Sequence, residues 1–218
     1  LEETTILFLY EIELLSCVLK TVPSFSLLES VFNKIKYASH QLGGAVNNPT
    51  ARKILTILQQ HIDKLVLVKE NATDLIDSYV EALEKHEALL LTEDLYLKHH
   101  IKQRHNVVIS GNIFNILQVL RSNEQIDEEQ YQHKIVDVCN LGVFQPNMSI
   151  DVLTNCFVYF VNGVDFRDTR FEIIFDKVFS VSNDSRFCFQ LFFKFLNRIG
   201  ELTDIKSTTL ISLFQGFL

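Results

Sequence analysis

The sequence predicts an all-α fold, an α-solenoid built from helix-turn-helix repeats of about 36 to 40 residues. Three observations lead to this fold class. Turn formers and helix breakers are scarce, with only 7 glycines and 3 prolines in 218 residues. Apolar residues make up 47% of the chain, which excludes disorder, and 218 residues are enough to bury a sizeable core. Apolar side chains recur at helical spacing in most segments.

The first half, residues 1–106, predicts an N-terminal helical region of less regular hairpins. Pro23 ends the first predicted helix, and Ser24 or Ser26 is expected to cap the second. The segment GGAVNNP is the clearest loop. The predicted helices are, in order, TTILFLYEIELLSCVLK, SLLESVFNKIKYASHQL, TARKILTILQQHIDKLVLV, ATDLIDSYVEALEKHEALLL and TEDLYLKHHIKQRH.

The second half, residues 107–218, predicts three helical hairpins. The apolar positions of NIFNILQVL and IDEEQYQHKIVDV recur about 40 residues later in DVLTNCFVYF and FRDTRFEIIFDKV. Most of them recur again, about 36 to 39 residues further on, in FCFQLFFKFL and TTLISLFQGFL. The repeats are predicted to span about 107–145, 146–182 and 183–218. The match lies in apolar positions rather than in identical residues.

The phenylalanine-rich segment 187–202 predicts a packed helix. Its buried face is expected to carry Phe189, Phe192, Phe193, Leu196 and Ile199, with Lys194, Arg198 and Glu201 on another face. A helix within lipid does not carry such a charged set. The chain contains no run of 18 apolar residues, so we expect no membrane insertion.

One segment, LKHHIKQRHN, is rich in basic residues although the chain as a whole is acidic. The net charge is −7 and both halves are acidic, so general attraction to nucleic acid is not expected. A solvated cationic helix end and a capped turn are the plainer interpretations, which we favour. The candidates for RNA or phosphate contact are Lys98, His99, Lys102, Arg104 and His105, with Arg167 and Arg170 in the loop DFRDTRFE.

The sequence shows no motif of a catalytic, cofactor or metal site. The adjacent His99 and His100 would point about 100° apart on a helix and could not easily share a metal. His133, Asp137 and Cys139 suggest a Cys-His-Asp arrangement, but Cys139 falls on an apolar face. All four cysteines lie in apolar segments, which predicts reduced core thiols. We therefore expect no catalytic residue, no cofactor and no metal.

Apolar residues are expected to lie uncovered at both ends of the predicted solenoid. An end repeat needs a polar outer face to stay in solution. The candidate partner-binding residues are Leu210, Leu213, Phe214, Phe217 and Leu218 in the last helix, and Leu7 and Phe8 in the first. We expect other protein subunits, or missing chain, to cover them. The sequence starts without a signal or transit peptide, which suggests either removal of a targeting segment or a fragment.

The repeated stripes NIFNILQVL, DVLTNCFVYF and FCFQLFFKFL resemble the degenerate α-helical-hairpin repeats of organellar proteins. These are the heptatricopeptide and octatricopeptide type, often associated with RAP or FAST domains. The resemblance covers roughly half of the chain. It implies a place in the mitochondrial matrix, in RNA processing or editing or in the mitoribosome. HEAT-like and armadillo-like repeats have an equally suitable period, and a cytoplasmic location is the alternative.

The function we expect is that of a non-catalytic scaffold subunit mediating protein–protein contacts in a hetero-oligomeric complex. The resemblance implies that this complex is a mitochondrial ribonucleoprotein in which the chain reaches RNA indirectly. RNA-reading members of such families are usually basic, whereas this chain is acidic. The alternatives are an RNA-binding helical-repeat protein and a helical microbial effector or adaptor.

Overall fold

The computed structural model describes residues 1–40, 48–70, 74–86, 88–104, 110–142, 148–161, 168–180 and 185–201. The chain divides into two compact units, Leu1–Gln125 and Ile126–Leu218. Helices hold 75% of the described residues, and there is little strand. The predicted all-α class is therefore confirmed in its coarse form.

The first unit combines seven described α-helices with four short strands. The elements are α1 (Glu3–Glu11), α2 (Leu15–Thr21), β1 (Phe25–Leu28), α3 (Glu29–His40), α4 (Pro49–Gln60), a 3-10 helix (Ile62–Lys64), β2 (Leu65–Val68), α5 (Leu75–His86), β3 (Leu90–Leu91), α6 (Leu95–Arg104), β4 (Ser110–Gly111) and α7 (Ile113–Ser122).

The segment predicted as one N-terminal helix forms two helices, α1 and α2. Ile12, Leu14 and Leu15 are all buried, and three such close positions cannot share one face of a continuous helix. Between them, Glu13 adopts a left-handed conformation with φ 61°. The break turns the chain so that all three apolar side chains enter the core. The prediction of a single helix was wrong for this reason.

Two stretches predicted as parts of helices form strands instead. Residues 26–28 were assigned to the start of a helix and Leu65–Val68 to the end of another, but Phe25–Leu28 and Leu65–Val68 pair as β1 and β2. The pairing is parallel, with Phe25 opposite Leu65 and Leu28 opposite Val68. Parallel strands need a long crossover connection, which α3 and α4 provide while packing on each other. A second parallel pair, β3 with β4, is connected through α6.

A lysine contact joins the 3-10 helix to the end of α2. The Lys64 ammonium donates hydrogen bonds to the carbonyls of Leu19 (3.1 Å), Lys20 (2.7 Å) and Val22 (2.9 Å). The last carbonyls of a helix have no partner within the helix and carry partial negative charge. Lys64 therefore caps α2 from a distant part of the sequence.

The second unit contains the helices α8 (Glu128–Asn140), α9 (Ile150–Val161), α10 (Thr169–Ser180) and α11 (Ser185–Gly200) among its described residues. Asp127 and Gln130 form a capping box at the start of α8. Helix α10 packs against α8 and α9, and α9 packs against α11. Aromatic rings fill the space between these helices, namely Phe157, Phe171, Phe175, Phe179, Phe192 and Phe195.

Helix α11 buries a different face from the one predicted. Phe192 and Ile199 are buried as expected, and Phe195 is buried with them. Phe189 and Phe193, which were expected in the core, are 45% and 51% exposed. The helix turns this way because the Phe195 ring lies within 5.8 Å of Phe157 and 6.3 Å of Phe171, centroid to centroid. The prediction for Phe189 and Phe193 was therefore wrong.

The solenoid arrangement of three repeats stays a prediction. Helix α7, the first helix of the first predicted repeat, belongs to the first unit, whereas α8 belongs to the second. The last predicted helix, within 202–218, lies outside the described residues. The domain boundary predicted after Asn106 falls among residues 105–109, which are also outside them.

Two phenylalanines of α11 provide a direct test of its orientation. We expect Phe195→Ala to lower the free energy of unfolding of the second unit by about 3–5 kcal/mol, because it empties a buried ring site. Phe193→Ala should change it by only about 0.5 kcal/mol, because the ring is half exposed. Hydrogen exchange of α9 and α10 amides measures both effects. Equal losses in the two variants would contradict this orientation.

Candidate functional site

The basic segment forms α6, which is anchored by its apolar and acidic residues. Leu97 and Ile101 are buried. Asp94 Oδ1 accepts hydrogen bonds from the backbone N–H groups of Tyr96 (2.8 Å) and Leu97 (3.0 Å). This cap fixes the first turn of the helix. His99 and Lys102 lie on the opposite side of α6 and are exposed, whereas Arg104 follows Ile101 by three residues and lies on the side of the buried residues.

Arg104 is held by two carboxylates of the same unit. Its guanidinium donates to Asp77 Oδ1 and lies 3.3 Å from Asp74 Oδ2. The charge of Asp77, the largest cause, raises the pKa of Arg104, and Asp74 adds to it. A phosphate group would have to compete with these carboxylates for the guanidinium.

The other basic residues of α6 differ in how accessible they are. Burial lowers the pKa of the half-buried Lys98, against the opposing charge of Glu93. His99 Nε2 lies 2.8 Å from Gln103 Nε2, and the His100 ring lies 4.0 Å from the Tyr96 ring. Lys102 is exposed and forms no ion pair or hydrogen bond within the described part of the chain. The remaining candidate of this segment, residue 105, is outside that part.

Arg170, the other arginine candidate that is described, is also engaged within its own unit. Its Nε and one terminal nitrogen donate to the two Asp168 carboxylate oxygens, at 2.9 and 2.6 Å. Its guanidinium lies 4.7 Å from the centre of the Phe160 ring. Asp168 also caps α10 by accepting from the Arg170 backbone N–H. Arg167 lies outside the described residues.

The two outward rings of α11 form what we name the α11 aromatic surface, defined by Phe189 and Phe193. The rings are stacked, with centroids 6.5 Å apart and planes at 23°. Exposed side chains of Gln190, Lys194 and Asn197 follow the same side of the helix. Lys194 forms no ion pair with any described residue. The surface is therefore apolar at its centre, with a positive charge at its edge.

The terminal apolar candidates are only partly described. Leu7 is 41% exposed on α1, and Phe8 is half-buried. Their neighbours Ile6 and Leu9 are in the core of the first unit. The candidates Leu210, Leu213, Phe214, Phe217 and Leu218 lie outside the described residues, so their role as partner-binding residues stays a prediction.

The Cys-His-Asp arrangement is not assembled around Cys139. The thiol is buried, and burial raises its pKa to about 12 although Lys177 opposes this. His133 Nε2 lies 4.0 Å from a Glu129 carboxylate oxygen, and Asp137 accepts from the Lys134 ammonium at 3.2 Å. His133 and Asp137 therefore each contact another residue, and neither of these residues is Cys139.

Three of the four cysteines are buried in the structure. They are Cys139, Cys156 and Cys188, and Cys17 is half-buried. All four are free thiols, as the sequence predicts. Burial raises the pKa of the Cys156 thiol even further than that of Cys139, so neither is an activated nucleophile at neutral pH.

Two searches of the described residues returned negative findings. No group of three or more His, Cys, Asp and Glu side chains lies close enough together to hold a metal ion in that part of the chain. None of the described helices combines the length and apolar character needed to cross a bilayer.

Comparison with known proteins finds no relative. No family model matches the sequence, and neither the curated proteins nor the solved structures contain a significant match to this chain. The resemblance to organellar helical-hairpin repeats therefore remains a prediction from the apolar pattern.

The buried thiol of Cys139 predicts a specific pH dependence of stability. The pKa is about 12 in the folded protein and about 8.5 in an unfolded chain. Between these values the unfolded state loses the proton and the folded state keeps it. The resulting stability is complete below about pH 8.5 and is lost as pH rises towards 12.

We expect Cys139→Ala to flatten the fall in unfolding free energy between pH 9 and 10 by about 1.4 kcal/mol per pH unit. Urea unfolding at pH 8, 9 and 10 measures this slope. Val138→Ala is the matched control, because it also trims a buried side chain of α8 but removes no titrating group. An unchanged slope in Cys139→Ala would refute the pKa assignment.

Proposed function

We propose that this protein is a non-catalytic helical scaffold that binds other protein subunits within a larger assembly. The observation that carries the proposal is the α11 aromatic surface. Phe189 and Phe193 are stacked on each other and about half exposed on the same helix. Exposed aromatic side chains that lie together are typical of the centres of protein–protein interfaces.

The composition of this surface indicates the kind of partner that would fit. Covering the two rings would remove apolar area from water, which is the main favourable term in association. Lys194 and Gln190 border the rings and are exposed. A partner with an apolar patch and an acidic residue at its edge would complement both features.

A mitochondrial ribonucleoprotein is the assembly that we propose. This placement rests on the resemblance of the repeats to organellar families. Arg104 and Arg170 are held by carboxylates, which favours contact with RNA through partner subunits rather than through these side chains.

Direct binding of RNA is the second candidate function. It is favoured by the exposed Lys102, which has no ion pair among the described residues, beside the exposed His99 on α6. Sequence-independent contact of this kind would depend on salt, because phosphate binding releases counterions. Measuring binding of single-stranded RNA to the wild type and to Lys102→Ala at two salt concentrations would separate it from the scaffold function.

The scaffold proposal predicts that the protein sediments as part of a large particle in its source lysate. We expect the double variant Phe189→Ser/Phe193→Ser to be retained in that particle at least about tenfold more weakly, because it removes the apolar centre of the surface. Each change should alter the stability of the folded chain by only about 0.5 kcal/mol, since both rings are exposed. Quantitative sedimentation of tagged variants measures the retention.

Tyr37→Ser is the matched control, since Tyr37 is an exposed aromatic residue on α3, in the other unit. This variant should remain in the particle. RNase treatment distinguishes the assemblies, because a ribonucleoprotein shifts to smaller size and a protein scaffold does not. Sedimentation of the untreated wild type as a free monomer would refute the proposal.

A further inference from the structure

The first unit contains a cavity of about 330 Å³ that the scaffold function does not use. Strands β1 and β2 line it together with α5, α2 and the segment around β3. Its walls are mainly apolar, with Val18, Phe25, Val66, Leu83 and Leu91 among the lining residues. Sites for small molecules are typically concave and apolar, and start at about 300 Å³.

Tyr79, on α5, provides a buried polar group in this cavity. The side chain lines the cavity and is only 6% exposed. Its hydroxyl has no hydrogen-bond partner among the described residues. A buried tyrosine hydroxyl usually has a partner, so this one is available to a bound molecule.

The charges around Tyr79 restrict what that molecule can be. Burial and the neighbouring carboxylates of Glu2, Glu3, Glu70 and Asp94 all raise the pKa of Tyr79. These carboxylates give the surroundings of Tyr79 a negative potential, which would repel an anion. Leu1 also lines the cavity, but its amino group adds little positive charge at neutral pH, because burial lowers its pKa to about 6. An uncharged or positively charged polar group suits this position.

The cavity is open to solvent, because four of its lining residues are exposed. They are Ser24, Val66, His86 and Leu89, whereas Tyr79 is buried. The space corresponds to roughly eleven water molecules at the volume of liquid water. A compact molecule of about ten non-hydrogen atoms would therefore fill it.

We propose that this cavity binds a small, mainly apolar molecule whose one polar group, uncharged or cationic, hydrogen-bonds to the Tyr79 hydroxyl. The apolar walls provide the affinity by burying the body of the ligand. The hydroxyl provides orientation, because it is a buried polar group of the site with no hydrogen-bond partner among the described residues. This binding is independent of the α11 aromatic surface, which belongs to the other unit.

Three probes of equal chain length test the proposal by titration calorimetry on the 218-residue chain. They are 1-octanol, octylamine and octanoate, which differ in the charge of the polar group. We expect 1-octanol and octylamine to bind saturably at one site. Octanoate should bind at least about tenfold more weakly, because its carboxylate would face the carboxylates around Tyr79.

Two variants locate the binding site. Tyr79→Phe keeps the ring and removes the hydroxyl, so it should weaken binding of 1-octanol by about three- to tenfold. Ala82→Phe fills the cavity from α5, where Ala82 is one of the lining residues, and should abolish binding of all three probes. Tyr37→Phe, at an exposed tyrosine on α3, is the control and should leave every affinity unchanged.

Circular dichroism establishes that each variant is folded. If Ala82→Phe fails to fold, Tyr79→Phe and the comparison of probe charges still decide the question. Absence of saturable binding to the wild type would overturn the proposal, as would equal affinity of 1-octanol for the wild type and Tyr79→Phe. Octanoate binding as tightly as octylamine would overturn the assigned ligand chemistry.

Discussion

The parallel pairing of β1 with β2 is the constraint on which the first unit depends. Phe25–Leu28 and Leu65–Val68 run in the same direction, so the chain between them has to return across the sheet. Helices α3 and α4 make this return and pack on each other. The same pairing sets Phe25 and Val66 into the cavity wall and brings Lys64 to the end of α2. The core, the cap and the cavity therefore follow from one short ladder.

In the second unit, contacts between aromatic rings have the corresponding role. Phe195 lies against Phe157 and Phe171, and edge-to-face and offset arrangements of this kind are favourable beyond the area that they bury. These contacts fix the rotation of α11 about its axis. Phe189 and Phe193 then face outward, so the formation of the core also creates the surface proposed to bind a partner.

The sequence predicts the helical class because helical periodicity is a local signal. It predicts α4 to α6 and α8 to α10 for the same reason. The strands were missed because four-residue apolar runs such as Leu65–Val68 are ambiguous, and their partners lie far along the chain. The face of α11 was assigned wrongly because two apolar stripes share Phe192 and Ile199. Only the stripe that contains Cys188 and Phe195 packs against the rings of the neighbouring helices. Its residues are also at helical spacing, so the sequence pattern contained this second face as well.

The candidate sites were less predictable than the helices, because they depend on distant partners. Arg104 is neutralised by Asp74 and Asp77, and nothing in the segment LKHHIKQRHN indicates this. The cavity around Tyr79 is assembled from Leu1 and from residues between α2 and β3. A local sequence pattern does not identify a residue such as Tyr79, because its proposed role depends on the cavity that it lines.

The crossover between β1 and β2 also has a consequence for how the chain reaches its native state. The entropy lost on joining two chain positions grows with the logarithm of the length of the loop between them. Helices α3 and α4 rise only about 1.5 Å per residue and lie against each other. If this helix pair forms first, it holds Leu28 and Leu65 close together, and the pairing of β1 with β2 then closes a much shorter effective loop than its separation along the sequence.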